Sequence, residues 1–67
     1  MPSTAIRDHY YEPESRELVI TFVTGRVYAY ADVPEDVYAD FCTARSKGAF
    51  FNKRIRDQFR TTELIGD

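Results

Sequence analysis

The sequence predicts an α+β fold: a three-stranded antiparallel β-meander followed by two short α-helices packed on one face (βββαα). Three observations predict it. Two runs rich in β-branched and aromatic residues, Arg16 to Val23 and Arg26 to Tyr30, flank Gly25, as the arms of a hairpin do. Pro34, Glu35 and Asp36 then open an apolar stripe at helical spacing. Finally, Phe51, Ile55 and Phe59 recur every four residues behind Ser46, a residue type suited to capping a helix start.

The first strand is read over Ala5 to Tyr11, after a frayed start at residues 1–4. Its alternation is imperfect, because Ile6 and Tyr10 share one parity and His9 and Tyr11 the other. Glu12-Pro13-Glu14-Ser15 is a turn, with proline setting φ. In the second strand Leu18, Ile20 and Phe22 alternate with Val19, Thr21 and Val23. A three-residue loop, Val23-Thr24-Gly25, fits a type I turn closed by a left-handed residue. It pairs Phe22 with Arg26, Ile20 with Tyr28 and Leu18 with Tyr30. A two-residue loop would place Tyr28 and Tyr30 opposite Thr21 and Val19. The first register is preferred, because it gathers the larger apolar groups on one face.

The first helix is expected over Pro34 to Ala44, with Val37, Tyr38, Phe41 and Ala44 as its apolar stripe and Cys42 semi-buried at the stripe's edge. The second is expected from Ser46 to Phe59. At ~100° per residue, Gly48, Phe51 and Ile55 share its inner face. Ala49, Lys53, Arg56 and Arg60 fall opposite, Lys47 and Arg54 on a flank, and Phe50 further round. Thr61 to Asp67 reads as a loose tail. The whole, residues 1–67, is one domain with an ordered core of about residues 5–60.

Net charge is −2, but its sign is divided. Residues 1–44 hold three cations against eight acids, a balance of −5; residues 45–67 hold six against three, a balance of +3. A local patch, more than the total, decides what docks. One cysteine excludes an internal disulfide framework and cannot by itself make a zinc site. A reducing, cytoplasmic setting without an export leader or membrane span is expected.

Together these motifs resemble the KTSC domain family. The matching residues are Tyr11-Glu12-Pro13, Leu18-x-Ile20-x-Phe22-x-x-Gly25, Tyr28-Ala29-Tyr30, Val33-Pro34, Val37-Tyr38, Ser46-Lys47-Gly48, Phe51-Asn52 and Ile55-Arg56. Their order and spacing run from about Ile6 to Phe59. His9 departs from the pattern, where an aliphatic residue is expected. The resemblance implies a stand-alone bacterial or phage member of a module also found at the C-terminus of some lysyl-tRNA synthetases. That context suggests RNA binding.

Two readings of function result. In the first, the chain is a small non-enzymatic module for RNA or single-stranded nucleic acid. Lys47, Lys53, Arg54, Arg56 and Arg60 would contact phosphates, with Phe50 beside them for stacking. Tyr28 and Tyr30 are stacking candidates too, although the preferred register makes them core cover. In the alternative, it is a protein-interaction module that uses the acidic first half or a sheet edge. Either suits a monomer or weak homodimer. Ser46-Lys47-Gly48 reads as a helix start and not as a phosphate loop, since the upstream glycine and strand are missing. His9 lacks a neighbouring nucleophile, Asn52 suits local backbone bonding, and the acids satisfy no metal-ligand spacing. No catalytic residue, metal site or cofactor is therefore expected.

Overall fold

A computed structural model describes residues 6–66. The start read as frayed at residues 1–4, together with Ala5 and Asp67, lies outside the described residues. Four strands form one antiparallel sheet in chain order: β1 (Ile6–Glu12), β2 (Glu17–Phe22), β3 (Val27–Tyr30) and β4 (Thr61–Ile65). Between β3 and β4 the chain forms α1 (Glu35–Thr43), α2 (Lys47–Phe50) and a π-helical turn (Phe51–Ile55). The fold is α+β as expected, but with a fourth strand after the helices.

The hairpin between β2 and β3 has the three-residue loop. The Phe22 amide donates to the Arg26 carbonyl at 2.9 Å, and Gly25 takes φ +96°. A side chain disfavours that conformation, which explains the glycine. Leu18 pairs with Tyr30 and Ile20 with Tyr28, as the preferred register requires. In the turn before β2, Arg16 adopts φ +58°, and its carbonyl accepts from the Val33 amide at 2.9 Å. Arg16 thus belongs to the turn and not to the strand.

Pro34 caps α1 from outside, with Glu35 and Asp36 in the first turn, where the helix dipole favours acids. The Ser46 hydroxyl accepts from the Ala49 amide at 3.2 Å and starts α2. The expected helix does not run to Phe59. The ladder widens at Phe51, the Arg56 amide bonds back to the Phe51 carbonyl at 2.7 Å, and Arg56 turns to ψ 129°. Asp57, at φ +64°, then reverses the chain. The reversal brings Arg60 beside β3, where its carbonyl accepts from the Ala31 amide at 2.9 Å. Thr61 then pairs with Tyr30 and Ile65 with Val27, and Leu64 is the extra residue of a bulge. Residues 61–65, read as a loose tail, are therefore an edge strand. All five are exposed, so no buried face imposed an alternation on them.

The core lies between the sheet and the helical segment. Leu18, Ile20 and Tyr30 from the sheet meet Val33, Phe41, Phe51 and Ile55. Phe51 stands edge-on to Tyr30 at 5.3 Å and to Phe22 at 5.5 Å between ring centroids. Such edge-to-face pairs add roughly 0.5–1.5 kcal/mol each to the gain from burial. Phe59, although beyond the helical segment, is half-buried against the same cluster.

Candidate nucleic-acid interface

The sequence concentrates positive charge in residues 47–60, and the structure decides how that charge is presented. Ile55 and Phe51 are buried, which turns their neighbours outward. Lys53 and Arg54 project from the π-helical turn and are exposed; Arg56 and Arg60 follow it and are exposed too. Lys47 is half-buried at the start of α2. Because the helical segment ends at Ile55, Arg56 and Arg60 do not share a helix face with Lys53, as the longer helix had implied. They extend the charge along the chain toward β4.

Two of these cations have a recorded partner. Arg56 Nη1 donates to Asn52 Oδ1 at 3.3 Å, one turn back. The Arg54 guanidinium carbon lies 5.4 Å from the centroid of the Phe50 ring, within cation–π range. Among the described residues, none of Lys47, Lys53, Arg54, Arg56 and Arg60 is ion-paired with a carboxylate. Cations without a carboxylate partner favour phosphate binding, because neutralising a phosphate releases its counterion.

The aromatic candidates divide. Phe50 is half-buried and rests against Phe41 with ring centroids 6.1 Å apart, beneath Arg54. Tyr28 is half-buried and edge-on to Phe22 at 5.6 Å. Tyr30 is only 4% exposed and packs on Phe51. A ring so enclosed has no face for a base, so Tyr30 is a core residue and not a stacking platform. Burial, followed by its neighbour Tyr28, pushes the Tyr30 hydroxyl up to about 12, while nearby Arg56 pulls the other way.

A second polar cluster lies where α1 crosses β1. His9 faces the core side of the sheet, edge-on to Phe41 at 5.1 Å, and its Nδ1 is 3.2 Å from the Tyr38 hydroxyl. Tyr38 stacks on Tyr11 at 4.5 Å, and Tyr11 donates to the Val33 carbonyl at 2.7 Å. His9 thus occupies the site of an aliphatic residue by packing its ring edge-on and bonding its nitrogen. Burial, and then the Cys42 thiol, raises the Tyr38 hydroxyl to about 12. Cys42 itself is exposed, not semi-buried. The Asn52–Arg56 contact was not recognised in the sequence, although its four-residue spacing is the signal that could have found it. No group of three or more metal-ligating side chains occurs among the described residues.

Comparison with known proteins agrees with this fold. A family model described as KTSC domain matches residues 2–59. A KTSC domain protein of Yersinia pestis, known from its crystal structure, superposes with a TM-score of 0.86. It is 33% identical, and the match covers 96% of this chain and 93% of that one. A protein of Tsukamurella paurometabola is 36% identical over 92% of both chains. A lysine–tRNA ligase of Nostoc punctiforme is 39% identical over 61 residues, 91% of this chain but 11% of the ligase. The chain therefore spans about a tenth of the length of the tRNA ligases it matches.

Proposed function

We propose, on the premise that this chain belongs to the KTSC domain family, that it is a small binding module without catalytic chemistry. Its α2 and π-turn segment, continued through Arg60, engages RNA or single-stranded nucleic acid. The observation that carries this reading is the set of four exposed cations, Lys53, Arg54, Arg56 and Arg60, none paired with a carboxylate among the described residues. Each phosphate they neutralise releases a counterion, which drives association.

Asn52 holds the Arg56 guanidinium and reduces the freedom it loses on binding. Phe50 supports Arg54 and offers the rim of its ring to a base. Tyr28 stays a lesser candidate on the same ground of partial exposure. Asp8, Glu12 and Glu17 on β1 and β2 repel phosphate from the sheet, and Glu35, Asp36 and Asp40 repel it from α1, which leaves the cationic segment beyond Ser46 as the favoured place for a strand. Relatives named lysine–tRNA ligase support an RNA ligand in particular. We place the protein in the cytoplasm as a monomer or weak homodimer, where an exposed thiol such as Cys42 stays reduced. No helix among the described residues is long and apolar enough to cross a membrane.

The test is a fluorescence titration of a labelled single-stranded RNA at low and moderate salt. The wild-type chain binds, and Lys53→Glu with Arg56→Glu abolishes binding while the circular dichroism spectrum stays native. Equal binding by the folded double variant would remove the reading.

A further inference from the structure

Among the described residues, the helices cover one face of the sheet and no helix lies on the other, where Ala29, 2% exposed, is enclosed by its larger neighbours. Alternation places Tyr10, Val19, Thr21 and Val27 on the open face, because Leu18, Ile20 and Tyr30 are buried on the covered one. Pairing aligns them in rows: Tyr10 with Val19, Val19 with Ala29, and Ala29 with Thr62; then Thr21 with Val27, and Val27 with Ile65. Tyr10 is 60% exposed and Ile65 57% exposed. The result is a continuous, mainly apolar band across four strands.

Acids border that band. Asp8 precedes Tyr10 on the same face, and Glu12 sits directly opposite Glu17. Like charges so paired repel each other. The Tyr10 hydroxyl donates to Glu12 Oε1 at 2.8 Å, which fixes both on one side of the sheet and raises the Tyr10 pKa. Apart from Arg7, the extra residue of a bulge at one corner, no cation occupies a position on β1 to β4 that alternation assigns to this face. Four strands ~4.8 Å apart make a platform of about 14 Å, wide enough for one helix of ~10 Å diameter.

We propose that this open sheet face is a docking surface for a cationic amphipathic helix of a protein partner. Its apolar stripe would cover Tyr10, Val19 and Val27, and its flanking Lys or Arg would relieve the Glu12–Glu17 repulsion. Charge complementarity selects this occupant. A nucleic acid would meet Asp8, Glu12 and Glu17 here with Arg7 alone, at one corner, to offset them. A second copy of the chain has no suitable helix among the described residues, because the apolar residues beside its cations, Phe51 and Ile55, are already buried. The surface lies across the sheet from the cationic segment, so the two readings stand or fall separately.

The probe is a synthetic helical peptide of about 18 residues, five turns, with Leu on one face and Lys on the other. It is titrated into the isotope-labelled protein by NMR. A scrambled peptide of the same composition and a Leu/Glu peptide are the controls. Amide shifts are expected on β1, β2 and β3, with the scrambled peptide about tenfold weaker, a difference of about 1.4 kcal/mol. Tyr10→Lys with Glu17→Lys, both at exposed sites, should lose binding with a native spectrum, whereas Lys53→Glu should not. Equal affinity for the scrambled peptide, or shifts confined to the α2 side, would overturn the proposal. So would a dilution series showing that a second copy already covers the face.

Discussion

Tyr30→Phe isolates one hydroxyl that ties the fold to alkaline pH. Tyr30 is 4% exposed, and its hydroxyl is raised from 10.0 to about 12, first by burial and then by Tyr28. In the unfolded chain the same phenol titrates near 10. Between those values the folded state holds a proton that the unfolded state has lost. Stability is therefore intact below about pH 10 and falls as pH rises toward about 12, by roughly 1.4 kcal/mol per unit for this group. Two units set an upper bound of about 2.7 kcal/mol, which solvent near the hydroxyl and the opposing pull of Arg56 reduce. A domain of this size has only ~3–5 kcal/mol of net stability, so even the reduced effect is a measurable share of it. Tyr38, also raised to about 12, adds a smaller share because it is half-buried. Urea unfolding followed by circular dichroism across this range measures the loss. In Tyr30→Phe the alkaline loss should shrink by at least half, with a cost near neutrality of about 1 kcal/mol or less. An unchanged alkaline loss in the variant, or a folded Tyr30 titrating near 10 by tyrosinate absorbance, would refute the reasoning.

Three further outcomes are expected. Gly25→Ala should cost about 1 kcal/mol through its positive φ alone, since a Cβ there meets nothing within 4 Å, and Gly25→Asn should cost less; urea midpoints compare the two. Ser46→Ala removes the acceptor for the Ala49 amide and should cost about 1 kcal/mol by the same assay. Truncation after Arg60 removes β4, whose ladder bonds contribute about 1 kcal/mol each while ordering costs ~1–2 kcal/mol per residue. The shortened chain should stay folded and lose less than about 2 kcal/mol in thermal or urea unfolding.

Legibility in the sequence followed burial. Leu18, Ile20, Tyr28 and Tyr30 declared their shared face, because a slip of one residue would have exposed them, and Gly25 fixed the loop length. Ser46 announced α2 by its side-chain chemistry. The extent of that helix was not legible: the spacing of Phe51, Ile55 and Phe59 is satisfied by a helix and equally by a π-turn followed by a reversal at Asp57. Aspartate visits the left-handed region more readily than most residues, but of the described aspartates only Asp32 and Asp57 do so, and the letter alone does not single them out. The strand Thr61–Ile65 left no pattern, because none of its residues is buried. For the candidate interface, charge and exposure at Lys53, Arg54, Arg56 and Arg60 could be read in advance, but their common helix face could not. Tyr30 shows the opposite limit, since an aromatic on a strand has the same letter whether it covers a core or awaits a base.

The cationic stretch from Lys53 to Arg60 gives the account its functional claim, and the salt dependence of RNA affinity tests it most directly. Four phosphate contacts on a single strand predict a slope of about −3 for log K against log salt. Arg56→Gln, which keeps most of the side chain and loses the charge, should reduce that slope by roughly 0.7. A slope near zero, or one that Arg56→Gln leaves untouched, would contradict the claim that these side chains meet a phosphate backbone.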